Sequence, residues 1–440
     1  MRQQAETLDE VAAVIDGAGQ TRTRMRTRIN DLYPILRSIT GPGLRDTLTH
    51  IRAELPDLVI HEVPSGTKVF DWTVPLEWSV REAYLTDPHG RRVADVTRHN
   101  LMLVNYSVPF KGHIPLSELR THLHSLPGLP NAIPYRTSYY EPSWGFCLPH
   151  RELESLPDGD YEVMIDTSLE PGSLSYGELY LPGENESEVL LSAHVCHPSL
   201  ANDNLSAVAV LVELARFLAQ SPGRYSYRLL FAPGTIGALA FLARTPASRE
   251  HVRYGLVLAG LGDSGPLHYK RTRNDADIDR VVLHVLRGLA DHAALDFDPF
   301  GYDERQYSSP GIDMPVGRLG RTPPGTYPEY HSSEDHPDFV KDEALLEALQ
   351  SLERIVFVIE HDGLYLNQVA QGEPQLGRRG LYRASDSAEA RAGVLWLLSL
   401  SDGSNSLLDV AERSGLEFEV IKDVCDRLVA EGLLAPQEEI

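Results

Sequence analysis

The sequence predicts an α/β protein that carries a β-rich module and ends in a winged helix. Three observations lead there. From 187 to 360, short apolar runs alternate with amphipathic helical patterns. From about 57 to 185, β-rich runs are separated by Pro, Gly and Asp. Beyond 381 the chain turns helical again, with a helix–turn–helix spacing around Gly415.

Residues 21–55 read as helix, break, helix. Ile29, Leu32, Ile35 and Leu36 recur at helical spacing, and Ser38-Ile-Thr-Gly-Pro-Gly43 is a turn. The next region has the texture of an all-β module, with strands expected at 58–63, 78–84, 100–105 and 161–165. The alternating region then gives strand 188–193 and helix 205–219, strand 227–232 and a helix from Gly237, strand 254–259 and a helix at 277–292. This βαβ alternation argues for a sheet covered on both faces. At the C-terminus, 389–399 is helical, and 406–415 followed by 418–432 forms the helix–turn–helix. No internal repeat and no low-complexity tract interrupts this order.

Composition bounds the function. The 440-residue chain has room for two or three domains. Its net charge of −23 argues against a general nucleic-acid binder, which needs clustered Lys and Arg. The basic run Arg22–Arg28 is expected to be a solvated helix face among acidic neighbours. The C-terminal 60 residues carry five Lys/Arg against twelve Asp/Glu, so that module is expected to dock or pack rather than bind DNA. Three widely spaced cysteines, Cys147, Cys196 and Cys425, fit a reducing compartment, and a cytoplasmic location is expected. No apolar run approaches the roughly 20 residues of a membrane span, and the N-terminus does not read as a signal peptide.

The chemistry concentrates in Ala193-His-Val-Cys-His-Pro-Ser-Leu-Ala-Asn-Asp-Asn204, directly after the apolar strand. A second cluster, Tyr327-Pro-Glu-Tyr-His-Ser-Ser-Glu-Asp335, lies far downstream. Taken singly, His194 reads as a core histidine and Asp203 as a helix cap. Together with His331 they make a His₂/carboxylate set that suits zinc with one position left for water. His197 competes with His194 for that role. Arg305, Arg318 and Arg321 near the second cluster are expected either to hold a substrate anion or to pair with the excess acids.

The chain resembles a family of bacterial aminopeptidase-like proteins related to the zinc aminopeptidases of the bacterial leucyl aminopeptidase and transferrin-receptor superfamily. The resemblance rests on LYPILRSITGPGLRDTL, SAHVCHPSLANDNLSA, FAPGTIGALAFL, GYDERQYSSPGIDMPVGRLGRTPPGTYPEYHSSEDHPDF and EPQLGRRGLYR, and covers most of residues 30–440. It implies an aminopeptidase-like mixed sheet flanked by helices, with an inserted small β domain and a C-terminal winged helix. The implied division is 1–70 for the N-terminal part of the core, 71–180 for the insertion, 181–375 for the metal-binding core and 376–440 for the winged helix.

The resemblance also implies site residues. His194 matches a zinc ligand, Asp203 the metal-bridging acid, His331 the late ligand, and Asp263 the acid after a later strand. Two residues beyond His194 the pattern has an acid, where this chain has Cys196, so His194 must be oriented by Cys196 or by another group. Tyr302-Asp-Glu-Arg-Gln-Tyr307 resembles a segment near the substrate pocket. One departure matters: where the aminopeptidases place a general-base Glu, this chain has Gly234. Either Gly234 opens room for a different substrate or the base comes from Glu304 or Glu329, and a single metal is expected rather than two.

The function that follows is a zinc-dependent hydrolase with one divalent ion, cleaving an amide in a small aminoacyl or short peptidyl substrate. The alternative is a catalytically silent metal-binding protein that recognises a ligand; a winged-helix regulator ranks third. No nucleic-acid or membrane partner is expected, and a homo-oligomer is compatible with the sequence.

Overall fold

Eight strands form the large sheet of the computed structural model, which describes residues 2–246, 248–381 and 387–437. The end of the EPQLGRRGLYR motif and 438–440 lie outside the described residues. Helix α1 (Arg2–Leu32) and helix α2 (Pro42–Glu54) precede β1 (Val59–Pro64). Pro42 opens α2, where its missing N–H costs nothing. Gly41 before it has φ 96°, and a Cβ there would lie 2.2 Å from the Trp78 carbonyl oxygen, so only glycine fits.

The β-rich region holds β2 (Glu77–Thr86), β3 (Arg92–Asp95), β4 (Phe110–Pro115) and β5 (Asp160–Glu170), an antiparallel sheet in the order β3-β2-β5-β4. Burial alternates along β5, as expected for a strand with one covered face. Asn100–Met102 is a 3₁₀ turn rather than the expected strand. The His99 ring accepts the Leu101 N–H and starts the turn, and Leu101 to Leu103 are buried in succession rather than alternately. The strand β6 (Ser173–Leu181) shares the β-rich texture, yet it hydrogen-bonds into the large sheet.

The remaining strands of that sheet are β7 (Glu188–His194), β8 (Ser226–Ala232), β9 (Val252–Ala259), β10 (Leu267–Lys270), β11 (His292–Leu295) and β12 (Val316–Gly320). The order is β1-β6-β8-β7-β9-β12-β10-β11. β7 lies parallel between β8 and β9, and all seven of its residues are buried, which explains its continuous apolar run. β1, β6 and β10 pair antiparallel, so the sheet is mixed. Helices α3 (Ala207–Leu218) and α4 (Ile236–Arg244) follow β7 and β8. α3 packs against β7, β8 and β9, and α1 packs on α3.

The basic run of α1 is not a solvated face. Arg28 is buried and bonds Glu54 and Glu213, Arg24 bonds Glu213, and Arg26 bonds Asp342. The run therefore ties α1 to the body by ion pairs.

Residues Met1–Asp279 and Asp291–Gln350 form one compact unit. Arg280–Ala290 and Ser351–Ile440 form the second. Helix α5 (Asp277–Arg287) ends five residues before the expected 292, where β11 begins. The helices α6 (Glu304–Tyr307) and α7 (Asp342–His361) follow, and α7 runs across the boundary at Gln350. The second unit holds β13 (Leu364–Asn367), β14 (Asp402–Ser406) and β15 (Leu434–Pro436) in the order β14-β13-β15, with α8 (Ala388–Leu400), α9 (Leu407–Ser414) and α10 (Phe418–Ala430). Ser406 and Asp409 form a capping box at the start of α9, and Gly415 ends it at φ 71°. Residues 382–386, between β13 and α8, lie outside the described residues. Among the described residues no helix is long and apolar enough to cross a membrane.

Candidate metal centre

β7 ends at His194, and the chain leaves the sheet there, so the side chain is delivered at the C-terminal edge of a fully buried strand. A turn through Cys196, His197 and Ser199 (φ 45°) brings the chain to Asn202-Asp203-Asn204, ahead of α3. The Asp203–Asn204 peptide is cis. Asp335 fastens this segment: its carboxylate accepts the backbone N–H groups of Asn202 at 2.6 Å and Asp203 at 2.9 Å.

Two imidazoles converge on Asp203. His194 Nε2 lies 2.8 Å from one carboxylate oxygen and His331 Nε2 lies 2.9 Å from the other. The His331 backbone sits at φ 53°, an uncommon conformation for a non-glycine residue at a place where side-chain direction matters. Tyr302 stacks on His194 and Tyr330 on His331, at ring separations of 4.7 and 3.9 Å, and the two phenols meet at 3.0 Å. Each imidazole thus has a fixed plane.

Charge states follow from the surroundings. Burial alone would raise the Asp203 carboxyl, but His197 and the hydrogen bonds from His194 and His331 outweigh it and hold the group well below the usual carboxylate range. Loss of solvation pulls His197 down to about 3, so its ring is neutral. An ionised carboxylate beside a neutral His197 suits metal ligation, which needs deprotonated donors. His194, His197 and Asp203 each offer a donor atom within 4.8 Å of the others, the group of this kind found among the described residues. The donor chemistry fits a divalent ion of the zinc type.

The expected residues divide. His194, Asp203 and His331 come together. Asp263 does not join them: its carboxylate takes the Thr322 hydroxyl at 2.6 Å, the Gly265 N–H at 2.8 Å and the Asn202 amide at 3.1 Å. Glu304 is buried and bonds Lys270 Nζ at 3.0 Å, and it does not line the cavity beside the centre. Glu329 does not line it either; its backbone carbonyl accepts the Ser332 N–H. Arg321 is committed to Glu347 at 2.7 Å and to three backbone carbonyls, and Arg318 lies beside His268 and Glu304.

The structure supplies groups the sequence reasoning passed over. Asn204, not Cys196, contacts the far nitrogen of His194: its amide nitrogen is 3.2 Å from Nδ1 while also bonding the Leu258 carbonyl, and its oxygen accepts the Gly260 N–H. Cys196 Sγ instead accepts the Gly234 N–H at 3.2 Å, and burial pushes the thiol up to about 12. Asp303, one residue before Glu304, is buried and lines the cavity; burial raises its carboxyl to about 6. Its Oδ1 accepts the Thr235 N–H at 2.6 Å. The signal was present in the Tyr302–Tyr307 motif, but sequence alone does not tell which of two adjacent acids faces inward.

The cavity measures about 400 Å³. Its wall includes His194, His197 and His331 with Gly234, Tyr302 and Asp303. Tyr135, Arg136, Thr137 and Tyr139 close another side.

Comparisons with known proteins agree with this architecture. Residues 26–362 match the family described as a domain of unknown function (DUF4910), and residues 363–436 match a winged helix-turn-helix family. A Clostridium acetobutylicum protein, provisionally named a polysaccharide biosynthesis protein with aminopeptidase-like domain, is 45% identical over 97% of this chain and 99% of its own. A crystal structure from the same organism, of a provisionally named peptidase, superposes with a TM-score of 0.92 at 44% identity, covering 98% of this chain and all of that one. A zinc aminopeptidase from Bacillus subtilis shares the fold at a TM-score of 0.58 and 13% identity, over 77% of this chain and 94% of that one. The chain belongs to the DUF4910 family, with an aminopeptidase-like α/β fold and a C-terminal winged helix.

Proposed function

We propose that the chain is a metal-dependent hydrolase that cleaves an amide bond in a small aminoacyl or peptidyl compound. One observation carries the reading: His194 and His331 converge on the two oxygens of a buried Asp203 beside a cavity. In this proposal His194, Asp203 and His331 hold one zinc ion. Zinc in such a site polarises a carbonyl and acidifies a water.

The chain's own residues account for the rest. The Tyr302–Tyr330 pair holds the planes of both imidazoles. Asp303 presents a carboxylate at Gly234. One of its oxygens is fixed by the Thr235 N–H, and the other is left to accept a proton from the attacking water. The cavity of about 400 Å³ limits the substrate to a small molecule. The aminopeptidase likeness supports the reading at the level of fold. The Clostridium relative's biosynthetic name suits an amide in a small intermediate better than a protein substrate. Cys147, Cys196 and Cys425 are all free and buried, which supports a cytoplasmic location.

His197 favours a second reading. It brings the protein donors around Asp203 to three imidazoles and a carboxylate. Four protein ligands close a zinc site and leave no position for water, which would make the protein a metal-stabilised binder. The deciding experiment is turnover of aminoacyl 4-nitroanilides and dipeptides by zinc-loaded protein, read together with metal content. The hydrolase reading expects turnover that chelation abolishes and zinc restores. Stoichiometric zinc with no turnover on any amide supports the closed site.

A further inference from the structure

The cavity has one wall that belongs to neither cluster of expected ligands. It is the extended segment 133–137, and it is fastened directly to the segment that carries His331. Ile133 N–H bonds the Ser333 hydroxyl, Ser333 N–H bonds the Ile133 carbonyl, and Tyr135 N–H bonds the His331 carbonyl at 2.8 Å. On its other side Asn105 N–H bonds the Arg136 carbonyl at 2.8 Å. The backbone on which Arg136 sits is therefore fixed relative to His331. Ile133, Pro134 and Tyr135 are buried in succession, with the Tyr135 ring meeting the His331 ring edge-on at 5.1 Å, and the segment emerges at Arg136, which is exposed.

Arg136 lines the cavity, and no hydrogen bond or ion pair engages its guanidinium among the described residues. That is notable in a chain with 63 acidic and 40 basic residues, where the buried arginines near the site are held internally: Arg37 by the His197 carbonyl, Arg318 beside His268 and Glu304, and Arg321 by Glu347. The arginine and the acid of the wall are Arg136, which is exposed, and Asp303, which is buried. An unengaged guanidinium carried on a fixed stretch of the cavity wall is suited to paired hydrogen bonds with a planar anion.

We propose that Arg136 is a specificity-determining residue that binds a carboxylate on the leaving-group side of the substrate, so that the preferred amide is the size of a dipeptide and carries a free carboxyl terminus. The assignment rests on the hydrolase reading for its chemistry but on binding for its test. The β-rich region, in this view, contributes the selective wall of a site whose metal donors come from the end of β7, the segment ahead of α3 and the loop that carries His331.

The experiment is calorimetric titration of the full-length, zinc-loaded protein with leucyl-glycine in which the peptide bond is reduced to CH₂–NH, and with the same compound as its carboxamide. Neither probe is hydrolysable, and they differ only at the terminus. The carboxylate probe is expected to bind about tenfold more tightly. Arg136→Ala is expected to remove that preference while leaving carboxamide binding, zinc content and melting temperature unchanged. Arg136→Lys should keep part of the preference, because an ammonium lacks the paired fork. Equal binding of the two probes, equal weakening of both by Arg136→Ala, or binding of neither overturns the proposal. A carboxylate preference without turnover on any amide would leave Arg136 in place and remove the hydrolase reading. Turnover without the preference would do the reverse.

Discussion

Oδ1 of Asp303 accepts a hydrogen bond from the backbone N–H of Thr235 at 2.6 Å. A buried carboxylate thus stands beside Gly234, the position where the aminopeptidase pattern leads one to look for a carboxylate and where this chain has no side chain at all.

Asp303→Asn keeps the bond to Thr235 through its amide oxygen but cannot accept a proton. Amide hydrolysis should fall about 10²–10⁴-fold with zinc content unchanged. A carboxylate can be returned from the other side. Gly234 is not in the left-handed region, and a Cβ there would meet Cys196 Sγ at 3.7 Å and His194 Cβ at 3.9 Å, which are ordinary contacts. Adding Gly234→Glu to Asp303→Asn should restore at least tenfold of the lost rate. An unchanged rate in the single variant would show that the proton goes elsewhere.

His331→Ala should lose stoichiometric zinc while the protein stays folded, since His331 is partly exposed and its ring does not belong to the core. Elemental analysis after dialysis against graded zinc reads it. Full zinc occupancy in His331→Ala would transfer the third-ligand role to His197.

Glu213 anchors α1 through Arg24 and Arg28. Burial would raise its carboxyl, but the hydrogen bonds from the two arginines lower it below the ordinary 4.5. A depressed carboxyl contributes stability that is present above the unfolded value and is lost as pH falls through the folded one. Glu213→Ala should therefore destabilise the protein by roughly 3–5 kcal/mol at pH 7, leaving Arg28 buried with less compensation. The gap between wild type and variant should narrow as pH drops below about 4.5. Denaturant unfolding at pH 7 and pH 4 measures it, and a gap of equal size at both would contradict the ion-pair account.

The full chain is expected to show no appreciable, sequence-selective affinity for duplex DNA at physiological salt, since the C-terminal 60 residues carry a net charge of −7, five basic against twelve acidic. Fluorescence anisotropy over a salt series tests it; tight binding with a steep salt dependence would reverse the expectation. The test needs the whole chain, because β13 lies before residue 381 and supplies the strand to which both β14 and β15 pair.

Strong local patterns were legible in the sequence. The unbroken apolar run of β7 and the amphipathic pattern after it placed the strand–turn–helix that carries His194 and Asp203. The helical spacing on either side of Gly415 placed the helix–turn–helix. Position in three dimensions was not legible. Nothing local distinguishes β6, which joins the large sheet, from the strands of the smaller one, since pairing is decided by partners far away in sequence. Glu304 and Asp303 are adjacent acids, and only the fold turns Asp303 to the cavity and Glu304 to Lys270. Asp263 has a turn-like context, and the structure shows it bonded within that turn. The contribution of Arg136 depends on the 133–137 segment lying beside 331–333, a pairing between regions about 200 residues apart.

The most direct test of the central claim is a crystal structure of zinc-loaded protein with anomalous data collected on both sides of the zinc absorption edge. The account predicts one peak per chain, about 2.0–2.2 Å from His194 Nε2, an Asp203 oxygen and His331 Nε2, with one position open toward Asp303. No peak at Asp203, or a zinc closed by four protein ligands including His197, would contradict it.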